Sequence, residues 1–370
     1  MGLIYGALDS GRLTRGRMHA EFESQFSSKH GTKHAVFVNS GTSALQLSIQ
    51  ALSIIYKWPK EAEVIVPATT FIATANAVIN NGFKPRFVDV HPLTFNMYGL
   101  RVKDALNKNT RAIIPVHLCG LPVDVREIED VLANYDINNV HIIEDACESL
   151  LVKHGKRQVG ALGDIGCFST YMAHILTTGV GGMVTTNHGH IYEMVRSLMN
   201  HGRDPSYRDI DNPGPIRNRF KFMHNGHSFR STEMEAAIGL AQIQGISKAI
   251  KKRQENAEYL AKALHGMHGL GFQYVPHGRE SAYMMFAIVV LDGNRDRLVE
   301  HLEKCGIETR DLPTLINQPA LKKYPELEAR GQFPVSYTLA NKSFYVGCHE
   351  ALSKEDLDYL AYSIRRFYEK

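Results

Sequence analysis

The sequence GDIGCFSTYMAH, at residues 163–174, joins an apolar run to a group of small polar residues and a histidine. Residues 165–169 have the length and composition of a buried strand. In sheets of parallel strands, ligands bind beyond the carboxyl ends of the strands. Ser169 and His174, which lie at and after the end of this strand, are therefore candidate site residues.

Short apolar runs of the same kind alternate with helical segments through the first half of the chain. They predict strands at residues 35–38, 64–66, 86–90, 111–114, 140–143 and 182–186. Helical spacing is found at residues 42–54, 72–80, 101–106 and 125–135. This alternation predicts a mainly parallel sheet covered by helices on both faces.

The second half of the chain has a different pattern. A long helical stretch is predicted at residues 231–265, followed by a strand at 284–291 and helices at 295–305 and 354–368. We therefore predict a large domain at residues 1–265 and a smaller domain at 266–370. Residues 203–227 are rich in Asp, Pro, Gly, Asn and Arg, which predicts a long irregular connection.

Composition excludes several classes of protein. The chain has 370 residues, 44% of them apolar and 22% charged, as in ordinary globular enzymes. Its net charge of +4 comes from scattered basic residues, so no nucleic-acid surface is expected. The longest apolar run, residues 283–291, is too short to cross a bilayer, and the first ten residues lack the pattern of a signal peptide. We expect a soluble, cytoplasmic protein without a membrane partner.

Cysteine and histidine spacing argues against a metal centre. The five cysteines are dispersed and form no CxxC pair, which is typical of reduced cytosolic thiols and leaves no place for an iron–sulfur cluster. Histidines cluster at residues 188–190 and 224–227, but no set of carboxylates or thiolates accompanies them. We predict no metal site.

Three further motifs follow predicted strands. Gly41 and Thr42 open a helix whose first N–H groups suit a phosphate, although the same residues are also an ordinary helix cap. Phe71 is either a ligand-stacking aromatic or a core residue. Asp145 follows a buried strand, where a carboxylate is costly unless it is paired. The alternative for Asp145 is a helix N-cap.

Taken in order, these motifs resemble the DegT/StrS family of sugar aminotransferases, which use pyridoxal 5′-phosphate (PLP). The resemblance extends over nearly the whole chain and includes residues 235–242, read as EAAIGLAQ. It implies an α/β structure of fold type I among PLP-dependent transferases. That fold has a mainly parallel seven-stranded sheet domain and a smaller C-terminal α+β domain.

The resemblance also implies roles for individual residues. Phe71 would stack on the cofactor ring, Asp145 would pair with its pyridine nitrogen, and Glu148, where glutamine is common, would contact the ring oxygen. The phosphate would be held by Gly41, Thr42, Ser169 and, from the other subunit of a homodimer with shared active sites, by Ser228. Ser228 stands where the family has asparagine, and a hydroxyl can still donate.

Substrate contacts are implied at three further positions. His117 lies in a loop that resembles a family active-site loop, and its role is either substrate contact or loop packing. Arg310 and His349 lie in segments that resemble substrate-facing ones. An arginine there would bind a diphosphate or the carboxylate of glutamate, a possible amino donor.

His174 occupies the place of the lysine that holds PLP in this family. An imidazole moves protons near neutral pH but cannot attach covalently to the cofactor aldehyde. PLP or its amine form, pyridoxamine 5′-phosphate (PMP), would therefore be bound non-covalently. Family members with histidine here remove the C3 hydroxyl of 4-keto-6-deoxy nucleotide sugars.

We therefore expect a PMP-dependent dehydratase in which His174 is the base. Two alternatives remain open: amino transfer to a nucleotide-linked 4-keto sugar without the lysine, and a catalytically inactive sensor that binds the cofactor.

Overall fold

The computed structural model describes residues 2–135, 139–207, 214–328 and 331–369. The helices of these residues are α1 Gly2–Asp9, α2 Arg17–His30, α3 Gly41–Ile55, α4 Ile72–Asn80, α5 Gly99–Ala105, α6 Val125–Asn134, α7 Gly189–Leu198, α8 Glu233–Ile243, α9 Ile246–Ala263, α10 Arg295–Lys304, α11 Pro334–Lys342 and α12 Lys354–Tyr368. None of them is both long and apolar enough to cross a membrane.

The strands form a seven-stranded sheet, a four-stranded sheet and a small hairpin. They are β1 His34–Val38, β2 Glu63–Pro67, β3 Lys84–Val88, β4 Thr110–Ile113, β5 His141–Asp145, β6 Lys153–His154, β7 Arg157–Gln158, β8 Ile165–Ser169, β9 Gly182–Thr186, β10 Leu270–Phe272, β11 Phe286–Val290, β12 Thr309–Asp311 and β13 Ser343–Val346.

The large sheet confirms the predicted architecture. Its order is β1-β9-β8-β5-β4-β2-β3, and β9 alone runs against its neighbours. Side chains alternate between the two faces of β1. Val36 and Val38 pack with α3, α4 and α7, whereas Ala35 and Phe37 pack with α2 and α8. This period of two buries both faces of the sheet, as expected for strands covered by helices on each side.

The small sheet has the order β10-β11-β13-β12 and is antiparallel throughout. One face packs on α9, α10 and α12, and the other, through Met285, Ala287 and Val289, packs on Val90 and Phe95 of the large part. The sequence pattern predicted β11 but not the three short strands beside it, which have three or four residues each.

The long helical stretch expected at residues 231–265 consists of two helices, because α8 ends at Ile243 and α9 begins at Ile246. Gly245, a weak helix former, lies at the break, and its N–H bonds the Gln242 carbonyl three residues back. The second helix contributes Ala257 and Leu260 to the core of the small sheet. The domain boundary at residue 265 stays a prediction.

Asp89, just beyond β3, connects the large sheet to α11. Its carboxylate accepts hydrogen bonds from the Val335 and Ser336 N–H groups and from the Ser336 hydroxyl, at 2.7–2.9 Å. The segment before α11 also returns to the large core, where Leu315 and Phe333 are buried. The C-terminal part is thereby fixed over the carboxyl edge of the large sheet.

Glu233, at the start of α8, holds the N-terminal segment. Its carboxylate accepts the N–H groups of Gly16, Met18 and His19, and contacts His19 Nδ1 at 2.5 Å. Burial raises the pKa of this carboxyl, but the hydrogen bonds from His19 and the backbone outweigh burial and lower the pKa to about 2.

We expect Glu233→Gln to lower the free energy of unfolding by about 3 kcal/mol at pH 7, since it replaces a buried carboxylate that accepts three backbone N–H groups and contacts His19. A folded-state pKa below the unfolded value stabilises the protein above pH 4.5, and this stabilisation is lost as the pH falls toward 2. Denaturant unfolding from pH 7 to pH 3 measures both effects. Glu255→Gln, at an exposed position on α9, is the control. Equal stability losses in the two variants would contradict the role of Glu233.

Candidate active site

A cavity of about 980 Å3 lies between the carboxyl edge of the large sheet and the small sheet. Its walls come from the ends of β5 and β8, the starts of α3 and α4, and residues of β12 and β13. Eight of the predicted site residues line it together: Gly41, Thr42, Phe71, Asp145, Glu148, Ser169, His174 and Arg310.

The start of α3 forms one end of the cavity. Ser40 caps the helix and accepts the Ser43 N–H at 3.0 Å. The first N–H groups of a helix have no partner within it and lie at the positive end of its dipole. A Cβ on Gly41 would lie 2.8 Å from Cys147 Sγ and 2.9 Å from Ser169 Cβ. Glycine is therefore required for this close approach, which places the helix start beside the Ser169 hydroxyl.

Asp145 ends β5 and is 5% exposed. Its Oδ2 accepts the Thr74 hydroxyl at 2.8 Å and its Oδ1 accepts the Cys147 N–H at 3.2 Å. Both donors are neutral, so a cation in the cavity would stabilise the carboxylate. No helix begins at Asp145 in the described chain, and the N-cap alternative for this residue is wrong.

Phe71 lies at the start of α4 and is 61% exposed. A core phenylalanine would be covered on all sides, so the core alternative for this residue is also wrong. Its ring lines the cavity one helical turn before Thr74, the partner of Asp145. The start of α4 thus brings the Phe71 ring to the cavity and the Thr74 hydroxyl to Asp145.

Glu148 is buried beside the Asp145 strand end. Its Oε2 accepts the Cys119 N–H at 2.6 Å. The pKa of Glu148 is raised to about 7, mainly by burial and in part by the charge of Asp145. The hydrogen bond from the Cys119 N–H lowers this pKa but does not cancel the effect of burial. Near neutral pH this carboxyl therefore exists in both forms, and its protonated form can donate a hydrogen bond to a ligand oxygen.

The loop that carries His174 is tied to the sheet at both ends. The Thr178 N–H donates to the Thr170 carbonyl at 2.8 Å, and the two threonine hydroxyls are 2.6 Å apart. From α8, the Gln242 side chain accepts the Thr177 N–H at 3.2 Å and donates to the Thr177 carbonyl. The loop of His174 is thus closed at its base by Thr170 and Thr178 and held to α8 by Gln242.

His174 lines the cavity. Its Nδ1 is buried and has no hydrogen-bond partner among the residues that the structure describes. Burial lowers the pKa of His174 to about 4, although the Cys147 backbone raises it in part. The imidazole is therefore neutral at pH 7 and able to accept a proton.

Of the three residues expected to bind substrate, only Arg310 lines the cavity. It is exposed and forms an ion pair with Glu308. His117 is fully buried: its Nδ1 accepts the Val123 N–H at 2.9 Å and its Nε2 lies 3.0 Å from a Glu144 oxygen. Loop packing, one of the two roles considered for His117, is the one its contacts support.

His349 and Ser228 lie outside this cavity. His349 is exposed after β13 and does not line the cavity, because the chain turns away there toward α12. Ser228 is also exposed, and its hydroxyl accepts a bond from Arg230 at 2.8 Å. Its expected contact involves a second subunit and stays a prediction.

Three further residues of the site had no clear signal in the sequence. Thr74 lies within the helix predicted at residues 72–80, but only the fold brings its hydroxyl to Asp145, 71 positions later. Tyr345 and Gln318 reach the cavity from the C-terminal part. No group of three or more His, Cys, Asp or Glu side chains within the described ranges has the arrangement of a metal site.

A family model described as the DegT/DnrJ/EryC1/StrS aminotransferase family matches residues 2–365. The chain belongs to this family. It is 31% identical to a GDP-perosamine synthase of Caulobacter vibrioides, over 93% of this chain and 88% of the relative. It is 29% identical to a GDP-4-keto-6-deoxy-D-mannose 3-dehydratase of Escherichia coli O55:H7, over 96% of this chain and 94% of the relative.

Solved structures agree with the family. A GDP-4-keto-6-deoxymannose-3-dehydratase carrying a histidine-to-asparagine mutation, with bound GDP-perosamine, matches at a TM-score of 0.87 and 27% identity. The match covers 98% of this chain and 96% of that protein. Fold type I, expected from the sequence motifs, is thereby confirmed.

Proposed function

We propose that the protein removes the C3 hydroxyl of a 4-keto-6-deoxy nucleotide sugar, using non-covalently bound PMP and His174 as the base. One observation carries the proposal: the cavity contains His174 and, among its described lining residues, no lysine. Without a lysine in the cavity, a family enzyme cannot hold its cofactor covalently. His174 is still a group able to move protons.

The lining residues fit PLP or PMP. The start of α3, with Ser169 beside it, offers N–H and hydroxyl donors for a phosphate. Phe71 offers an exposed ring for stacking. Asp145 offers a buried carboxylate for the ring nitrogen, and Glu148 a carboxyl of pKa about 7 for the ring oxygen. When bound, the cofactor would supply an electron sink for bond cleavage at the sugar.

Each residue has a separate task in this proposal. Asp145 would pair with the ring nitrogen and stabilise a positive charge there, and Thr74 would keep the carboxylate oriented through the 2.8 Å bond. His174 would accept a proton on its imidazole ring and return it to the departing 3-hydroxyl, which leaves as water. Arg310 would bind an anionic group of the substrate at the cavity wall.

Product analysis tests the proposal. Purified protein, PMP and a panel of 4-keto-6-deoxy nucleotide sugars would be incubated and examined by mass spectrometry. Dehydration yields a 3-deoxy-4-keto sugar and one ammonia for each turnover. Glutamate is the proposed donor that restores the amine of PMP. No turnover with any sugar of the panel would favour a cofactor-binding sensor and contradict the proposal.

Amino transfer is the second candidate function, because the 31% identical relative is a perosamine synthase. Transfer would leave the nitrogen on the sugar, so an amino sugar without release of ammonia would identify it. The same experiment therefore separates the two reactions. We also propose a homodimer in which Ser228 contacts the cofactor phosphate of the other subunit, testable by analytical ultracentrifugation.

Gln242→Leu is expected to lower kcat about 10- to 100-fold while changing PMP affinity less than threefold. The variant removes both bonds to Thr177 and frees the loop of His174, and displacement of a reacting group by about 1 Å costs on the order of 10²-fold. Steady-state kinetics and a PMP titration measure the two effects. Gln244→Leu, two residues along at an exposed position, is the control. Unchanged kcat in Gln242→Leu would exclude this positioning role.

A further inference from the structure

Tyr345, on β13, belongs to the wall that the small sheet contributes to the active-site cavity. It lies directly opposite Arg310 of β12, and residues opposite each other on neighbouring strands share a face of the sheet. Both residues accordingly line the cavity. On its other side Tyr345 is opposite Ala287 of β11, and its ring packs against the same apolar cluster as Ala287, which includes Val90 and Phe95. The large part of the molecule thus holds the ring in place.

The hydroxyl of Tyr345 is available to a ligand. Within the described chain it has no hydrogen-bond partner, yet it is not a buried unsatisfied atom, so it is accessible from the cavity. Burial and the charge of Glu148 raise the pKa of Tyr345, although Arg310 lowers it in part. The phenol therefore stays protonated at neutral pH and can donate a hydrogen bond.

The proposed substrate offers few polar groups to such a donor. In a nucleotide-linked 4-keto-6-deoxyhexose, C1 carries the diphosphate, the C3 hydroxyl is the leaving group, C4 is the reacting ketone and C6 is a methyl group. The C2 hydroxyl is therefore the one sugar hydroxyl that the reaction leaves in place, and its carbon is bonded to C1. A residue that binds this hydroxyl must lie beside the residue that binds the diphosphate.

Tyr345 and Arg310 meet this requirement. Their Cβ atoms are held about 4.5–5.5 Å apart by the pairing of β12 with β13. Arg310 is the proposed contact of an anionic group, and the charge of Glu148 reaches Tyr345 from the cofactor side of the cavity. A sugar whose diphosphate contacts Arg310 and whose C4 points toward the cofactor passes the Tyr345 hydroxyl with its C2 edge.

This inference rests on the nucleotide-sugar substrate of the proposed function. We propose that Tyr345 is a specificity-determining residue that donates a hydrogen bond to the C2 hydroxyl of the sugar. The protein thereby selects sugars with a C2 hydroxyl over their 2-deoxy counterparts. A site that hydrogen-bonds a substrate hydroxyl discriminates against the analogue that lacks it, because a polar group of the site then loses its partner.

Sugar binding to the full chain saturated with PLP tests the inference without turnover, since the aldehyde of PLP does not condense with a keto sugar. Calorimetric titrations use GDP-linked 4-keto-6-deoxymannose and its 2-deoxy analogue. The same pair is made on thymidine diphosphate, and the carrier that binds more tightly is used. We expect the wild type to bind the 2-hydroxylated sugar about tenfold more tightly or better. In Tyr345→Phe the two sugars should bind within about twofold of each other, with PLP affinity within about threefold of the wild type.

Two further variants are controls. Tyr274→Phe changes an exposed tyrosine outside the cavity lining and should keep the preference for the 2-hydroxylated sugar. Asn317→Gly removes an amide from the same wall of the cavity, at a φ of 60° that glycine adopts readily, and should also keep it. Loss of the preference in Asn317→Gly but not in Tyr345→Phe would place the contact at Asn317 and overturn the inference.

The inference is also overturned if the wild type binds both sugars equally, if it binds neither on either carrier, or if Tyr345→Phe keeps the preference. Loss of PLP binding in Tyr345→Phe would overturn it as well, since the residue would then be structural. Product analysis of the PMP-loaded protein decides the reaction separately. A protein that shows the expected sugar preference but forms no deoxy sugar would contradict the dehydration and support the role of Tyr345.

Discussion

His174→Asn is expected to lower dehydration about 10²- to 10⁴-fold, the usual contribution of a general base. The amide side chain is close in size to the imidazole but cannot accept a proton at neutral pH. Because the proposed cofactor contacts come from α3, Phe71, Asp145 and Ser169, PMP should still bind with an affinity within about threefold of the wild type. Initial rates and a PMP titration followed by absorbance measure the two quantities.

His265→Asn, at an exposed position after α9, controls for the loss of a histidine elsewhere. Dehydration at the wild-type rate in His174→Asn would show that another group is the base. Loss of PMP binding in the same variant would show instead that the histidine has a structural role in the cavity.

The reverse substitution, His174→Lys, is informative because it restores the amine that the family uses. We expect PLP to attach covalently, with a red-shifted absorbance and a mass increase on the chain after borohydride reduction, while dehydration falls. The wild-type chain should show no such mass increase. A failure of the lysine variant to form the bond would mean that residue 174 does not face the cofactor aldehyde.

Asp145→Ala is expected to have the second large effect, lowering turnover by about 10²- to 10³-fold. Removing one partner of a buried charge pair costs about 3–5 kcal/mol, which corresponds to a factor of this size or larger. The ring nitrogen of the bound cofactor would lose its counter-charge, so PMP affinity should fall together with turnover. Kinetics and PMP titration on the same preparations measure both losses.

Thr74→Val provides a graded comparison for Asp145→Ala. It keeps the carboxylate and removes a neutral hydroxyl, which donates to Asp145 at 2.8 Å and lies 2.7 Å from the Thr70 hydroxyl, so its effect should be about tenfold or less. Equal losses in the two variants would mean that the hydroxyl, rather than the charge, is what the site requires. Wild-type turnover in Asp145→Ala would exclude pairing with the cofactor.

The sequence predicted the large sheet and eight of the residues that line the cavity at its carboxyl edge. Buried strands such as residues 64–66 are visible as short apolar runs, because burial on both faces requires continuous hydrophobicity. Ligands collect at the carboxyl ends of such strands, so the residues after them were the natural candidates. Asp145, Ser169 and His174 line one cavity as a result of that topology.

Other features depended on contacts between distant parts of the chain. His117 resembled a substrate residue in sequence, yet its ring is enclosed and bonded to Glu144, 27 positions away. Local periodicity carries no information about such pairs. The same is true of Gln242 and Thr177, which are separated by 65 positions and hold the loop of His174.

The order of the motifs, and the histidine in place of lysine, are local properties that the amino-acid sequence determined without coordinates. Tertiary structure alone decided how those residues behave. Burial lowers the pKa of His174 to about 4 and raises that of Glu148 to about 7. The fold also brings five arginines from three separate segments together around one cavity. Desolvation and charge proximity depend on which segments meet in space, and that is settled only when the chain has folded.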